Sequence, residues 1–131
     1  MRSVNPATGE TLREYPEHDA EELSRRLDLA GAAFRDWSRR PPGERAALLR
    51  RLAGVLRAGL AEHAALMTAE MGKPIAQAEA ELSKCATTCE WFAEHAARLL
   101  EPEPAPTEAS DSHVRFDPLG VVLAVMPWNF P

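Results

Sequence analysis

The fold is decided by the stretch VVLAVMPWNFP at residues 121–131. Its first six residues form an unbroken apolar run rich in β-branched side chains, which predicts a strand at about 121–126 that is buried on both faces, as in a parallel sheet. Such a strand needs neighbouring strands for its backbone and helices over both faces. We therefore predict the α/β fold class. Since the pattern offers only one or two other short strands, we expect the chain to be the first part of a larger α/β domain.

Three amphipathic helices are predicted upstream, at about 19–38, 43–70 and 74–100. Asp19 has the character of an N-cap and Glu22 completes a capping box. Gly72 is predicted to cap the second helix, and Pro74 suits the first position of the third. The predicted apolar stripes, one for each helix, are Ala20, Leu23, Leu27, Ala30, Phe34 and Trp37; Leu49, Leu52, Leu56, Leu60, His63 and Met67; and Ile75, Ala78, Leu82, Cys85, Cys89, Phe92, Ala96 and Leu99.

The remaining segments read as turns and short strands. Residues 5–9 have the composition of a turn, and residues 11–15 are predicted to form a short strand. Residues 101–112 form a proline-rich connection, and a further strand is predicted at about 113–117. Periodicity alone leaves open a second interpretation, in which the three helices form a bundle and the apolar stretch is a frayed tail.

Composition excludes several classes of protein. The net charge is −5 and the basic residues are matched by acidic ones, which argues against nucleic acid and anionic membranes as partners. Residues 1–10 lack the apolar core of a secretory signal, and no apolar run approaches the ~20 residues that span a bilayer. We expect a cytoplasmic protein. Cys85 and Cys89 fit no disulfide framework.

The best candidate for chemistry is the segment Pro127-Trp128-Asn129-Phe130-Pro131, directly after the apolar run. Ligands of open parallel sheets bind at the carboxyl ends of strands. Asn129 there can donate a neutral hydrogen bond to a developing oxyanion, and Trp128 offers a flat apolar wall. The alternative is a plain strand-to-turn exit with a buried tryptophan.

The two cysteines are predicted to be structural. Both lie on the apolar stripe of the third helix, where cysteine is usually a small buried hydrophobe. No histidine shares their face, so we predict no metal site.

Pro118-Leu119-Gly120-Val121-Val122 leading into residues 126–131 resembles the signature with which the aldehyde dehydrogenase superfamily enters its dinucleotide-binding sheet. The resemblance extends over nearly the whole chain: residues 5–10, Ala33-Phe34 with Trp37, Glu44-Arg45, and residues 70–74 follow in the family's order. Within the superfamily, residues 70–75 together with Lys84-Cys85-Ala86 look most like succinate-semialdehyde dehydrogenases.

The resemblance implies that residues 1–131 are the N-terminal part of a doubly wound (Rossmann-like) cofactor-binding domain, truncated after its helices and first strands. It implies that the strand at 113–117 leaves for an oligomerisation element and that the parent is a homo-oligomer, a dimer or tetramer. In the family a cysteine thiolate attacks the aldehyde, hydride passes to NAD or NADP, and a glutamate activates the water that releases the acid.

The family's residue roles carry over to five positions. Asn129 would be the catalytic donor to the oxyanion, and Val125, Met126, Pro127 and Trp128 would line the cofactor groove. The family's nucleophile, water-activating glutamate, ribose-binding lysine and glycine-rich turn lie further along than residue 131, so the chain alone is expected to be inactive. The expected substrate of the parent is succinate semialdehyde.

Two other interpretations remain open from the residues. One is a non-catalytic helical interaction module that binds a partner through its apolar tail, and the other is the remnant of a disrupted gene. Continuation of the reading frame into a cysteine-bearing segment would distinguish the dehydrogenase from both.

Overall fold

The computed structural model describes residues 1–130; Pro131, the last residue of the predicted motif, lies outside the described residues. Four helices dominate: α1 (Ala20–Trp37), α2 (Pro42–Ala58), α3 (Leu60–Met71) and α4 (Ile75–Leu99). Two short antiparallel strand pairs flank them, β1 (Arg2–Val4) with β2 (Thr11–Glu14), and β3 (Glu103–Pro104) with β4 (His113–Val114).

Helix α1 begins at the predicted cap. The Asp19 carboxylate accepts a 2.8 Å hydrogen bond from the Glu22 backbone N–H. Glu22 does not return the bond, because its own carboxylate accepts from Arg25 and Arg26. The hydrogen bond from Arg25 lowers the pKa of Glu22 to about 2, against a smaller opposing effect of desolvation. No residue of α1 is fully buried: of its predicted apolar stripe, Ala30 and Phe34 are half-buried and the others are exposed.

The prediction of one continuous helix over 43–70 is wrong, because Gly59 separates α2 from α3. The Gly59 backbone (φ −93°, ψ 11°) departs from helical geometry. The His63 imidazole packs so closely over Gly59 that a Cβ there would lie 2.6 Å from His63 Nε2. A glycine therefore permits both the break and the position of the histidine.

The core lies where α4 packs against α2 and α3. Helix α4 is antiparallel to α2, since Arg50 donates to Ala93 O whereas the later Arg57 pairs with the earlier Glu90. Helix α3 packs against the first turns of α4. The buried residues are mostly alanines: Ala46, Ala53, Ala64, Ala78, Ala86 and Ala93, with Leu82. Small side chains let the helix backbones approach closely. The buried face is therefore set by alanines, and several larger residues of the predicted stripes, such as Leu52, are exposed.

Gly72 caps α3 as predicted. It adopts φ +75°, and its N–H donates a 2.9 Å hydrogen bond to Thr68 O. Pro74 stands one residue before α4, at the N-cap. The resulting reversal between α3 and α4 is the corner on which the N-terminal hairpin rests: Ser3 Oγ donates to Glu70 Oε1 at 2.7 Å, and Pro6 lies against Gly72.

The N-terminal hairpin contains one strand that the sequence did not indicate. The sequence pattern predicted no element before the turn at 5–9, but Arg2–Val4 pairs with Thr11–Glu14 in antiparallel register. The predicted turn joins them: Asn5 Oδ1 accepts from the Ala7 N–H at 2.9 Å, and Gly9 has φ +75°. β1 is stabilised by its partner strand and not by its own composition.

Both predicted C-terminal strands need correction. The strand predicted at 113–117 is confined to His113–Val114, which pairs with Glu103–Pro104 inside the segment predicted as a connection. The strand predicted at 121–126 is absent: within residues 1–130 no neighbouring strand pairs with it, and Leu123 and Val125 are 87% and 85% exposed. An apolar run becomes a strand only when a partner satisfies its backbone.

No helix in the described part of the chain has the length and apolar character needed to cross a membrane.

The geometry of the corner between α3 and α4 predicts that substitution of Gly72 destabilises the fold. Gly72→Ala is expected to lower the free energy of unfolding by about 1–2 kcal/mol, because a side chain is strained at positive φ and its Cβ would lie 3.2 Å from Pro6 Cγ. Gly54→Ala is the control, since Gly54 lies within α2 with open space around it, and should stabilise by about 0.5–1 kcal/mol. Urea denaturation followed by circular dichroism measures both. Equal stability of the Gly72 variant and the wild type would contradict the analysis.

The exposed C-terminal run predicts hydrophobic dye binding. Leu119, Leu123 and Val125 expose almost their whole side chains, so the chain as given should enhance the fluorescence of an apolar dye. Replacing all three with serine should reduce the signal while the helical circular dichroism stays unchanged. A wild-type chain that binds no dye would contradict this expectation.

Candidate functional site

The predicted site residues form a tight turn. Phe130 N–H donates to Pro127 O at 3.3 Å, which places Trp128 and Asn129 at the two central positions of what we call the terminal turn (residues 127–130). Proline at its first position restricts one backbone dihedral. The turn therefore presents two consecutive side chains from a constrained backbone.

The terminal turn lies against the corner between α3 and α4. Trp128 lines a groove of about 620 Å³ together with Pro6, His63, Met67 and Leu82, which we call the hairpin-side groove. Met126 and Phe130 line a second groove of about 670 Å³ along α4, which we call the cysteine groove. Of the five predicted residues, Met126 and Trp128 thus line grooves beside the helical corner, although all five are exposed.

Lys73 connects the corner to the terminal turn. The residue is 9% exposed, and its Nζ forms an ion pair with Glu81 of α4. The same Nζ donates a long, 3.4 Å hydrogen bond to Asn129 O and lies 4.5 Å from the centroid of the Phe130 ring. An ammonium near an aromatic face is attracted by the ring quadrupole. One buried cation thereby contacts the last two residues of the turn.

The sequence around Lys73 indicated no chemistry for this residue. Its position between Gly72 and Pro74 indicated only a helix-to-helix corner. A partial signal lies in Glu81, a charged residue directly before the buried Leu82 and therefore close to the packed face of α4. The contact with Asn129 joins residues 56 positions apart, and no local pattern encodes it.

The prediction that Cys85 is buried is wrong. Cys85 is exposed and Cys89 is half-buried, and both face the cysteine groove. The buried face of α4 runs through Leu82 and Ala86, and each residue of a helix turns by about 100°, so Cys85 falls to the side of that face. Both cysteines are free thiols.

Residues 1–130 contain no cluster of three histidine, cysteine, aspartate or glutamate side chains that could hold a metal ion. The terminal turn presents the Asn129 amide beside the apolar side chains of Trp128 and Phe130.

Comparison with known proteins places this geometry in a family. Residues 1–131 match the aldehyde dehydrogenase family over the whole chain. The Escherichia coli (strain K12) succinate semialdehyde dehydrogenase Sad, named for NAD(P)+, is 46% identical over 129 residues, which are 98% of this chain and 28% of that protein. A probable succinate-semialdehyde dehydrogenase of Synechocystis, named for NADP+, is 46% identical over 131 residues, which are 100% of this chain and 29% of that protein.

The solved structures agree. The crystal structure of succinic semialdehyde dehydrogenase from Streptococcus pyogenes in complex with NADP+ superposes with a TM-score of 0.93 at 30% identity, covering 98% of this chain and 29% of that one. These similarities confirm the predicted fold class, which is the truncated N-terminal part of an α/β aldehyde dehydrogenase cofactor domain. The chain spans less than a third of the length of the relatives it matches. It belongs to the aldehyde dehydrogenase family, of which it represents an N-terminal portion.

Proposed function

We propose that this chain forms part of an NAD(P)-dependent aldehyde dehydrogenase that oxidises succinate semialdehyde to its carboxylic acid. Family membership supports the reaction class. The names of the two relatives with 46% identity support the substrate and the cofactor. The observation that carries the proposal is the terminal turn, which presents an asparagine side chain from a backbone that is tied to the helical corner.

Asn129 is suited to donate a hydrogen bond to the aldehyde oxygen. Its main-chain carbonyl accepts from Lys73, and within residues 1–130 no hydrogen bond occupies its side-chain amide. As a nucleophile adds to the aldehyde carbon, the oxygen gains negative charge. A donor that is already fixed in place stabilises that charge without reorganisation. The neutral amide also places no net charge beside the uncharged aldehyde group before the reaction.

Val125, Met126, Pro127 and Trp128 are suited to hold the cofactor. NAD(P), when bound, supplies the acceptor for hydride. The residues offer an exposed apolar surface: Val125 is 85%, Met126 71% and Trp128 77% exposed. Flat apolar surface of this kind fits the nonpolar parts of a nicotinamide or ribose ring and excludes water from the reacting atoms. These residues thus contribute an apolar surface for the cofactor and not a binding site for its phosphates.

The strand pair β3–β4 is the element we propose for association between subunits. It follows α4 in the chain, and Val114 of β4 and the nearby Phe116 are 50% and 43% exposed. An exposed strand edge with apolar neighbours can pair with another chain. A second copy of the enzyme is the proposed partner.

Replacement of Asn129 tests the proposed chemistry. In the complete dehydrogenase, Asn129→Ala should lower kcat about 10²–10³-fold, because one fixed oxyanion donor is lost. KM for the aldehyde should change much less, since the hydrogen bond strengthens only in the transition state. Steady-state kinetics per folded active site, read beside a thermal melt, measures the split.

Asn129→Asp is the matched control for shape. It keeps the size of the side chain and its fitness for a turn, but it removes the N–H donors, so its kcat should fall at least as far as that of Asn129→Ala. A pair of variants that melt early yet turn over near the wild-type rate would assign Asn129 a local structural role and remove it from the site.

The isolated chain is expected to be inactive. No residue in it matches the family's nucleophile or water-activating glutamate, and removal of one member of a catalytic set already costs orders of magnitude in rate. The purified 131-residue chain should give no NADH or NADPH from succinate semialdehyde above a heat-treated sample. Turnover that survives repeated purification, and is lost in the Asn129→Ala chain, would contradict this expectation.

A further inference from the structure

Lys73 is buried in a position where its ammonium meets both Glu81 and the terminal turn. Its ammonium carries three donors and no acceptor. One faces Glu81, another donates to Asn129 O, and the charge lies over the Phe130 ring. Burial of a charge is costly unless the charge is paired and hydrogen-bonded. If the turn moved away, the lysine would keep its carboxylate but lose the carbonyl and the ring.

The contacts of Lys73 are aimed at the backbone of the turn. The acceptor is the main-chain oxygen of Asn129, which leaves the amide of that residue free to act elsewhere. Phe130 is held on its ring face, and Pro127 accepts the hydrogen bond that closes the turn. The direction in which the Asn129 side chain leaves the backbone is therefore set by three contacts, two of which come from one lysine.

Glu81 holds the lysine in turn. The two side chains are almost equally buried, with 10% and 11% of their surface exposed. Glu81 lies on α4 and Lys73 lies before its first turn, so the ion pair is anchored to the helix that packs in the core. The Lys73–Glu81 pair thereby fixes the terminal turn relative to α4.

We propose that Lys73, oriented by Glu81, is a positioning residue that fixes the terminal turn so that the Asn129 amide faces the reacting oxygen. This inference rests on the proposed role of Asn129. Lys73 itself does not touch the substrate. It acts through the backbone of the residue that does, and a displacement of about 1 Å at such a donor can cost 10²-fold in rate.

A purely structural role for Lys73 makes different predictions. If the ion pair only joins α3 to α4, its loss should lower the melting temperature without a specific effect on residues 127–130. If Lys73 positions the turn, its loss should free the backbone of the turn and lower kcat while KM stays nearly constant.

The principal variant is Lys73→Met, which keeps the length of the side chain and removes its charge and donors. In the complete enzyme we expect faster hydrogen exchange at the Phe130 amide and a fall in kcat of about 10–10²-fold. Arg51→Met is the control, because Arg51 is an exposed cation of α2 that lines neither groove and has no hydrogen bond to the described turn. It should leave exchange and kcat unchanged.

A double variant separates positioning from general damage. If Lys73 acts through Asn129, Lys73→Met should lower kcat by less than about threefold when Asn129 is already alanine, because interacting residues are not additive. An equally large fall in that background overturns the proposal. So does unchanged exchange at Phe130 in the Lys73→Met enzyme.

Glu81→Gln keeps the inference testable if Lys73→Met fails to fold. It preserves the size of the side chain and leaves the lysine without its counter-charge, so exchange at Phe130 should rise and kcat should fall, both to a smaller extent. Unchanged exchange and kcat overturn the proposal. If Asn129→Ala alone leaves kcat near the wild-type value, the proposed function fails. Hydrogen exchange at the Phe130 amide then still decides whether Lys73 fixes the turn.

Discussion

Close packing of α4 against α2 and α3 is the constraint on which the rest of the chain depends. The contact is made by alanines on both sides, so a larger side chain at these positions would hold the helices apart. Polar contacts border it: Arg57 pairs with Glu90 at 2.5 Å, and Arg50 donates to Ala93 O. Exposed ion pairs contribute ~0–1 kcal/mol, less than the burial of the apolar face, so packing and not charge determines how the helices lie.

Antiparallel packing of this kind requires a sharp reversal between α3 and α4. Gly72 makes it by adopting positive φ, and Pro74 starts the return. The reversal has two consequences. It creates the surface on which the N-terminal hairpin rests through Ser3, and it directs Lys73 inward toward Glu81. Features far apart in the sequence thus meet at one corner because the helices on either side of it are held together.

The proposed chemistry follows from that corner. A catalytic amide is useful only when its direction is fixed before the reaction. In this chain the terminal turn belongs to no strand, so its order comes from proline, from its own hydrogen bond and from Lys73. The helices therefore do more than precede the cofactor sheet: through one buried ion pair they connect the packed core to the residue proposed to stabilise the oxyanion.

Local patterns determined much of this protein. The Asp19 cap, the Gly72 reversal and the ends of α1 and α4 follow from short-range chemistry, and the motif at 127–131 led to the family. Tertiary structure decided the rest. The strands at 2–4 and 103–104 form only because partner strands pair with them. The break at Gly59 depends on where His63 packs. The exposure of Cys85 depends on which face of α4 is buried through its alanines. The contact between Lys73 and Asn129 belongs to this second group, because it joins residues that no local period relates and that meet only after the helices have packed.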